Sequence, residues 1–404
     1  MALTREEAAA RDAADPLAGF RERFVFTDAE RIYLDGNSLG RLPVATRERL
    51  HALADEWGDR LVSGWPEWID APTRVGDLLA EAVLGARPGE VIVGDSTTVN
   101  LYKLCSAALN LAPGPLVTNR DNFPTDRYVL EGLAAQRGVE LRLVDDIEAA
   151  LPGAAVVLIS HVDYRTGEIA DLRAVTEAAR EHGARVVWDL CHSAGAIPIG
   201  LRDAGAELAV GCTYKYLNGG PGAPAFLYVA AELQPRLRSP IWGWFGQRDQ
   251  FAMERDYDPV EGIGRFLAGT PPVLDLAAVE EGVKLTAEAG VDRLREKSLA
   301  LCELIIECCD AWLAPLGFEL GSPRDGARRG SHVSVRHPEA WPICRALIER
   351  AAVIPDFRGP DSIRLGVAPL YTRFVDVYDA IDRLRGLVER GEQRLVDQAR
   401  GRVT

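Results

Sequence analysis

The chain has 404 residues, of which 47% are hydrophobic and 26% are charged, and its formal net charge at pH 7 is −14. This composition is typical of a soluble globular protein with about two domains, and it excludes disordered and fibrous classes. Because the negative charge repels phosphate backbones and anionic membranes, we expect neither a nucleic acid nor a membrane as a partner.

The N-terminal stretch MALTREEAAARDAADPLAGF carries acidic residues and arginines throughout, so it lacks the apolar core of a secretory signal. The sequence contains no run of about 18 apolar residues, the length that a membrane-spanning helix needs. The seven cysteines show no metal-type pair spacing, and their odd number fits reduced, buried thiols. We therefore expect a cytoplasmic protein without a metal site.

From Gly89 onward, short β-branched runs alternate with helix-period segments. This alternation predicts an α/β domain with a mostly parallel sheet and crossover helices. The helical segments include TDRYVLEGLAAQRG and DLRAVTEAAREHG, and the second is closed by a glycine of the helix-stopping type. The predicted strands, in chain order, are EVIVG, LVTN, VELRLV, AVVLIS, RVVWDL, LAVGC and AFLYVA.

The pattern changes after GTPP. A long helical pattern runs from about Leu274 to Trp312, followed by strands around SHVSVRH and SIRLGVAP and by a final helix from about Val375. This order predicts a smaller α+β domain at the C-terminal end. We expect three parts, namely an N-terminal arm that packs with the small domain (1–40), a large α/β domain (41–280) and the small domain (281–404).

Lysine is rare in this chain, because only four of the 46 basic residues are lysines. Lys103, Lys284 and Lys297 lie in helix-like runs, where a solvated ammonium group is a sufficient explanation. Lys215 lies in the turn GCTYKYLNGGPG. A lysine amine can lose its proton when buried and attack a carbonyl, whereas a guanidinium stays charged. Lys215 is therefore a candidate Schiff-base lysine, and a loop lysine without a role is the simpler alternative.

In open α/β sheets, ligands bind outside the carboxyl ends of the strands, and several predicted strands end in polar residues. EVIVG leads into a predicted helix start with Thr97 and Thr98, where hydroxyl and N–H groups suit a phosphate, although plain N-caps are also expected there. AVVLIS ends in Ser160. RVVWDL leads into Asp189 and then His192, and a carboxylate in so apolar a run is costly without a cationic partner.

The residues at these strand ends predict a pocket with three features. They are an imine-forming amine at Lys215, a carboxylate at Asp189 that could hold a protonated ring nitrogen, and a phosphate site at the helix start of Thr97 and Thr98. Those are the three features by which pyridoxal 5′-phosphate (PLP) is bound. The segment NFPTD adds Phe123, which could stack on the pyridine ring, although a core phenylalanine is the commoner role of such a residue.

The ordered motifs closely resemble those of the kynureninase family. In chain order they are DGNSLG, DSTTVN, NFPTD, DLCHSAG, CTYKYLNGGPG, GWFGQ, FLAGTPP and RLGVAPLY, from about Tyr33 to about Leu384. The resemblance implies the PLP fold type I, with a large α/β domain and a smaller α+β domain, and a homodimer with shared active sites. It also implies hydrolysis of L-kynurenine, or 3-hydroxykynurenine, to anthranilate, or 3-hydroxyanthranilate, and L-alanine, in tryptophan catabolism and NAD biosynthesis.

The resemblance implies a role for each matching residue. Lys215 would hold PLP and take the Cα proton of the substrate, Asp189 would pair with the pyridine nitrogen, and Tyr214 would contact the phosphate and relay protons. Trp244 and Thr270 would reach the cofactor across the dimer interface. The other residues implied in the cofactor shell are Thr97, Thr98, Phe123, Asp126, Ser160 and His192.

The resemblance also implies two substrate contacts. Arg364 would bind the α-carboxylate, for which the bidentate geometry of a guanidinium is suited. The stretch SGWPEWIDAP matches the family more loosely, so either Trp65 or Trp68 would line the kynurenine ring.

Three alternatives stay open. A cysteine desulfurase or an aminotransferase of the same fold is the nearest, but a desulfurase needs a mobile nucleophilic cysteine, and no C-terminal cysteine lies in a glycine-rich loop. A non-catalytic PLP-binding regulator would be expected to carry a basic DNA-binding extension. A doubly wound protein without PLP would leave the ordered set of Asp189, His192, Tyr214 and Lys215 unexplained.

Overall fold

The computed structural model of the chain describes residues 4–397 and 399. It divides into a large central sheet, a small antiparallel sheet and helices packed on both. The strands are β1 (Ile32–Tyr33), β2 (Val91–Val93), β3 (Leu116–Asn119), β4 (Leu141–Val144), β5 (Val156–Ser160), β6 (Arg185–Asp189), β7 (Leu208–Gly211), β8 (Phe226–Val229), β9 (Glu319–Leu320), β10 (His332–Arg336), β11 (Val353–Ile354), β12 (Asp356–Arg358) and β13 (Ser362–Gly366).

The central sheet has seven strands in the order β2-β8-β7-β6-β5-β3-β4. All seven predicted strands are confirmed, and each is one strand of this sheet. Strand β8 runs antiparallel to both of its neighbours, whereas the other pairings are parallel. The mostly parallel sheet expected from the sequence is therefore confirmed. Strands β2, β7 and β8 are buried along their whole length, as is usual for a sheet covered by helices on both faces.

The helices cover both faces of the central sheet and pack on the small one. They are α1 (Arg5–Ala13), α2 (Val44–Arg60), α3 (Trp65–Trp68), α4 (Ala71–Leu79), α5 (Thr97–Leu109), α6 (Pro124–Arg137), α7 (Ile147–Ala150), α8 (Leu172–Glu181), α9 (Val273–Ala289), α10 (Val291–Cys308), α11 (Ala340–Arg350) and α12 (Phe374–Glu389).

The long helical pattern predicted after GTPP is two helices rather than one. Helix α9 ends at Gly290, whose φ is +79°, a left-handed backbone value that favours glycine and interrupts the helix. Helix α10 follows directly and passes into one turn of π-helix at Cys309–Leu313. The predicted C-terminal strands and the final helix are confirmed as β10, β13 and α12.

The N-terminal segment contacts the C-terminal part of the chain. Strand β1 pairs in parallel with β11, and the Asp12 carboxylate accepts the first two backbone N–H groups of α12, from Phe374 at 2.6 Å and Val375 at 3.0 Å. The small sheet has the order β12-β13-β10-β9 and is antiparallel throughout. Its inner face shares an apolar core with α10, α11 and α12.

The interpretation of three lysines as solvated is wrong for two of them. Lys103 is 1% exposed, and its ammonium donates to Asp95 at 2.5 Å and to the carbonyl oxygen of Phe266 at 2.6 Å. Lys297 is also buried, and its ammonium pairs with Asp15 at 2.7 Å. Only Lys284 fits the prediction, because it is half exposed and pairs with glutamates of its own helix.

All seven cysteines are buried and none is in a disulfide, which confirms the prediction of buried thiols. Burial raises the pKa of Cys302 to about 11 and that of Cys308 to about 12, so these thiols resist ionisation. Within the described ranges, no helix has the length and apolar character needed to cross a membrane.

Candidate active site

Consecutive strands of the central sheet bring most of the predicted site residues to one edge. Ser160 ends β5 and Asp189 ends β6, and these two residues are direct neighbours across the parallel pair. Lys215 follows β7 by four residues, and the segment after β3 carries Phe123 and Asp126. Because the carboxyl ends of parallel strands share one edge of a sheet, the chain order predicted this convergence.

Lys215 contacts His192. Its Nζ lies 3.2 Å from Nε2 of His192 and 6.0 Å from the ring centroid of Tyr214. Burial, followed by the positive charges of Lys215 and Arg364, lowers the pKa of His192 well below its usual value. The imidazole is therefore neutral, and Nε2 can accept a hydrogen bond from the lysine ammonium.

Asp126 and Asp189 form a pair of buried carboxyl groups. Asp189 Oδ1 accepts the backbone N–H of Cys191 at 2.8 Å, which fixes its orientation. Burial, and then the charge of Asp189, raises the pKa of Asp126 well above its usual value. Within residues 4–397 and 399, neither carboxylate forms an ion pair with a Lys, Arg or His side chain. Such a pair favours a shared proton or a cationic ligand group between the two carboxyls.

Asn122 connects the carboxyl pair to two other predicted shell residues. Its Nδ2 donates to Asp126 Oδ2 at 3.2 Å and to Thr118 Oγ1 at 3.0 Å. Its Oδ1 accepts from Ser160 Oγ at 2.7 Å and from the backbone N–H of Phe123 at 2.8 Å. Asn122 lies within NFPTD but was not among the predicted site residues, because nothing in the motif distinguishes an asparagine with four partners from an ordinary turn asparagine.

The N-terminus of α5 lies at the same edge. Ser96 caps this helix by accepting the N–H of Val99 at 3.3 Å. The backbone N–H groups of Thr97 and Thr98 lie in the first helical turn, where no intrahelical acceptor exists. The Thr97 hydroxyl lies 3.9 Å from Cys191 Sγ, which places the helix start beside the turn after β6. This geometry suits an anion such as a phosphate.

Two aromatic residues complete this cluster. Phe123 precedes α6, is 36% exposed and meets Tyr164 edge-on at 5.2 Å, so part of its ring is open for stacking. Burial, followed by the neighbouring Cys212 and Cys191, raises the pKa of Tyr214 above its usual value. Tyr214 therefore stays a neutral phenol and can donate its proton in a hydrogen bond.

Arg364 is buried in a network of its own chain. It forms an ion pair with Asp356, donates to Ser38 Oγ at 2.9 Å and donates to the carbonyl oxygen of Tyr164 at 2.5 Å. With the Asn37 amide turned so that its oxygen faces the guanidinium, that oxygen accepts from Nε at 2.9 Å. A bidentate contact with a substrate carboxylate thus requires Arg364 to exchange at least one of these partners.

His332 was missed by the sequence analysis. It lies on β10 of the small sheet, is fully buried, and meets the ring of His192 edge-on at 5.8 Å. Burial, followed by the positive charges of Arg364 and Lys215, lowers the pKa of His332 well below its usual value, so this imidazole is also neutral. Strand alternation in SHVSVRH could have placed it on the polar face of β10, but no motif marked it as part of the site.

Three predicted residues lie outside the Lys215 cluster. Trp244 is 42% exposed in a short 3₁₀ turn and contacts Phe245 and Phe251. Thr270 is exposed two residues before Pro272. Trp65 lines an apolar cavity of about 330 Å³ together with Leu53, Trp57, Trp68, Pro272, Val273, Leu274 and Asp275. The cavity therefore holds both candidate tryptophans and adjoins the segment of Thr270.

Family models match two long stretches of the chain. Residues 294–384 match the kynureninase C-terminal domain, and residues 128–338 match aminotransferase class-V. Kynureninase from Pseudomonas fluorescens is 47% identical over 403 residues, covering 96% of each chain. Kynureninase from Burkholderia pseudomallei (strain K96243) is 46% identical over 402 residues, again covering 96% of each.

Solved structures with the same fold are much less similar in sequence. The apo cysteine desulfurase from Thermococcus onnurineus NA1 superposes with a TM-score of 0.79 at 20% identity, covering 96% of this chain and 100% of that chain. A K223A mutant of C-DES, with glycine covalently linked to its PLP cofactor, has a TM-score of 0.78 at 18% identity and covers 88% of this chain and 97% of that one. These likenesses establish the fold type I architecture, whereas the identity over nearly the full length decides the family: the chain belongs to the kynureninase family.

Proposed function

We propose that this enzyme uses PLP to hydrolyse L-kynurenine to anthranilate and L-alanine. The observation that supports this most strongly is the meeting of Lys215, the Asp126–Asp189 pair and the N-terminus of α5 at one sheet edge, in a chain 47% identical to a kynureninase. The preference between L-kynurenine and 3-hydroxykynurenine depends on the ring pocket, for which Trp65 is the proposed aromatic wall.

The residues of the site fit PLP. The facing carboxyls of Asp126 and Asp189 lack a cationic side-chain partner in the described part of the chain, and a protonated pyridine nitrogen supplies one. The first turn of α5 offers free N–H groups to the phosphate. Phe123 can stack on the ring, and the amine of Lys215 can bind the aldehyde carbon.

Each residue then has a chemical task. Bound PLP supplies the electron sink that stabilises negative charge at the substrate Cα. Asp189 holds the proton on the ring nitrogen, and this proton is what makes the ring electron-poor. The Lys215 amine takes the Cα proton as a general base, and the neutral His192 can hold the resulting ammonium through Nε2. Tyr214, whose pKa is raised by burial, stays a neutral phenol and would donate a hydrogen bond from its hydroxyl to a group that carries negative charge during the reaction.

The reaction should give anthranilate and L-alanine in equal amounts when the protein is incubated with L-kynurenine and PLP. Equal amounts are expected because water adds to the γ-carbonyl and one Cβ–Cγ bond breaks per turnover. Quantifying both products and the sulfur released from L-cysteine tests the proposal. Sulfur release or transamination as the dominant activity, with anthranilate absent, would refute it. A desulfurase reaction is disfavoured because the C-terminal cysteines are all buried.

We propose a homodimer in which Trp244 and Thr270 complete the partner's site. The described surface exposes large apolar side chains at the end of α2, in the segment of Trp244 and at the start of α9, and contact with a partner subunit would remove them from water. They are Trp57, Leu61, Val62, Trp242, Trp244, Phe251, Met253 and Leu274. Because the Trp65 cavity adjoins the Thr270 segment, we propose that Trp65 belongs to the same interface.

Mixing a Lys215→Ala protein with a Trp244→Ala protein should restore activity that neither has alone. Random exchange makes half of the dimers mixed, and each mixed dimer has one intact site, so roughly one quarter of the wild-type rate should return. Anthranilate release is measured after subunit exchange has been verified with two tagged forms. No recovery after verified exchange would mean that each chain builds its own site.

We also propose the division into an N-terminal arm (1–40), a large PLP-binding domain (41–280) and a small domain (281–404). The pairing of β1 with β11 and the capping of α12 by Asp12 support the assignment of the arm to the small domain. Seven buried free thiols support a reducing, cytoplasmic location. The proposed reaction would serve tryptophan catabolism and NAD biosynthesis, with no nucleic-acid or membrane partner.

A further inference from the structure

We propose that Asn122 is a positioning residue, whose amide holds the Asp126 carboxyl opposite Asp189. The same amide hydrogen-bonds to Ser160 and to the backbone of Phe123, and so fixes these two residues relative to Asp126. This inference rests on the proposed function, because it concerns how the chain prepares its PLP site. Asn122 is not proposed to touch the reacting atoms. It acts through the residues that contact the cofactor.

The hydrogen bonding of Asn122 is complete. An amide has two donor hydrogens and two acceptor lone pairs on its oxygen, and all four are used. Nδ2 donates to Asp126 and Thr118, and Oδ1 accepts from Ser160 and the backbone of Phe123, at distances of 2.7 to 3.2 Å. Because Asn122 is 6% exposed, water cannot readily replace these partners.

The network joins three separate chain segments. Thr118 lies on β3, Ser160 ends β5, Phe123 directly precedes α6, and Asp126 lies in the first turn of α6. No other amino acid of this size offers two donors and two acceptors in one plane, so a substitution breaks several bonds at once. The donation to Asp126 also lowers the pKa of that carboxyl, against the effects of burial and of Asp189 that raise it. Asn122 therefore influences both the place and the charge of Asp126.

The isosteric change Asn122→Asp removes both donations and brings a third carboxyl beside Asp126 and Asp189. At neutral pH we expect PLP to bind the apoprotein about tenfold to hundredfold more weakly than wild type, the usual effect of leaving buried groups unpaired. When the pH falls, the introduced carboxyl takes up a proton and can again donate to Asp126. The ratio of the mutant Kd to the wild-type Kd should therefore decrease toward pH 6.

Asn122→Ala provides the comparison. Alanine cannot donate at any pH, so its PLP affinity should be weak and the ratio to wild type should not change with pH. Asn119→Asp is the matched control, because it adds the same charge at the end of β3. The Asn119 side chain takes part in none of the four bonds of the Asn122 amide, and its backbone carbonyl, which accepts the Asn122 N–H at 3.1 Å, is kept in the variant. That variant should bind PLP like wild type at every pH.

The experiment is a PLP titration of the three apoproteins and wild type from pH 6 to 8.5, followed by absorbance, with circular dichroism to verify folding. A folded Asn122→Asp protein with wild-type affinity, or one whose weakness is independent of pH, would overturn the inference. If Asn122→Asp does not fold, wild-type affinity in folded Asn122→Ala overturns it equally. A wild-type protein that binds no PLP would instead refute the proposed function, and the inference with it.

Discussion

Lys215→Arg should abolish the turnover of L-kynurenine. It should also lack the visible absorption band that we expect for the wild-type protein with PLP, a band that borohydride should abolish. Arginine keeps the positive charge but cannot form an imine or act as a base, so the rate should fall by roughly 10³-fold or more. The variant should still fold, because Lys215 is only partly buried and, within the described residues, its nitrogen has a hydrogen-bond partner only in His192, at 3.2 Å. Absorbance spectra and anthranilate release measure the two effects.

Lys284→Arg is the matched control for this substitution. Lys284 lies on the exposed side of α9 and pairs with Glu280 at 3.1 Å and Glu281 at 2.8 Å, contacts that arginine can keep. This variant should retain both the band and the rate. Near-normal activity in Lys215→Arg would mean that another residue holds the cofactor.

The central sheet was predictable because each strand is a short apolar run bounded by turns. Such a run does not show whether the strand is parallel or antiparallel to its neighbours. Strand β8 is an apolar run like its neighbours, but no crossover helix lies between β7 and β8, and the strand runs antiparallel to both neighbours. The break at Gly290 was visible in the sequence as a glycine inside a helical pattern, and its φ of +79° shows why the helix stops there.

The site was predictable where it depends on strand ends, and it was not where distant segments meet. Asp189, Ser160 and Lys215 follow successive strands, so chain order alone brings them together. His332 contacts His192 across 140 positions of sequence, and Arg364 reaches the carbonyl of Tyr164 from 200 positions away. No local sequence pattern predicts contacts between residues so far apart in the sequence. Arg364 was predicted only from the resemblance to a family.

The scarcity of lysine drew attention to Lys215, whose role stays a prediction, but the interpretation of Lys103 and Lys297 as solvated was wrong. Helical periodicity shows that a residue lies in a helix, but it does not show which groups of a distant loop contact the side chain of that residue. The carbonyl of Phe266 reaches Lys103 from 163 residues away, and that contact helps to make burial of the ammonium possible. A scarce residue type thus indicates a special environment, which is the proposed active site for Lys215 and an ion pair of a buried ammonium group for Lys103 and Lys297.

Asp189→Asn should lower kcat for L-kynurenine on the order of 10²-fold or more while PLP stays bound. Asparagine is isosteric, and its Oδ1 can still accept the N–H of Cys191, as Asp189 does at 2.8 Å, so the turn keeps its shape. The loss is electrostatic: without the carboxylate the ring nitrogen gives up its proton, and the Cα–H bond of the substrate becomes less acidic. Steady-state kinetics with a separate measurement of bound PLP tests this.

Asp126→Asn separates the contributions of the two carboxyls. Because burial and the charge of Asp189 raise the pKa of Asp126, Asp126 takes up a proton more readily than an ordinary aspartate does. Its replacement should therefore cost less in kcat than that of Asp189. Asp171→Asn, at the N-cap of α8, should leave kinetics unchanged, since asparagine caps a helix as well as aspartate does. Two results would contradict this assignment: a loss in kcat below about threefold for Asp189→Asn with PLP bound, or a loss for Asp126→Asn that exceeds the loss for Asp189→Asn. Either result would mean that Asp126, and not Asp189, holds the proton on the ring nitrogen.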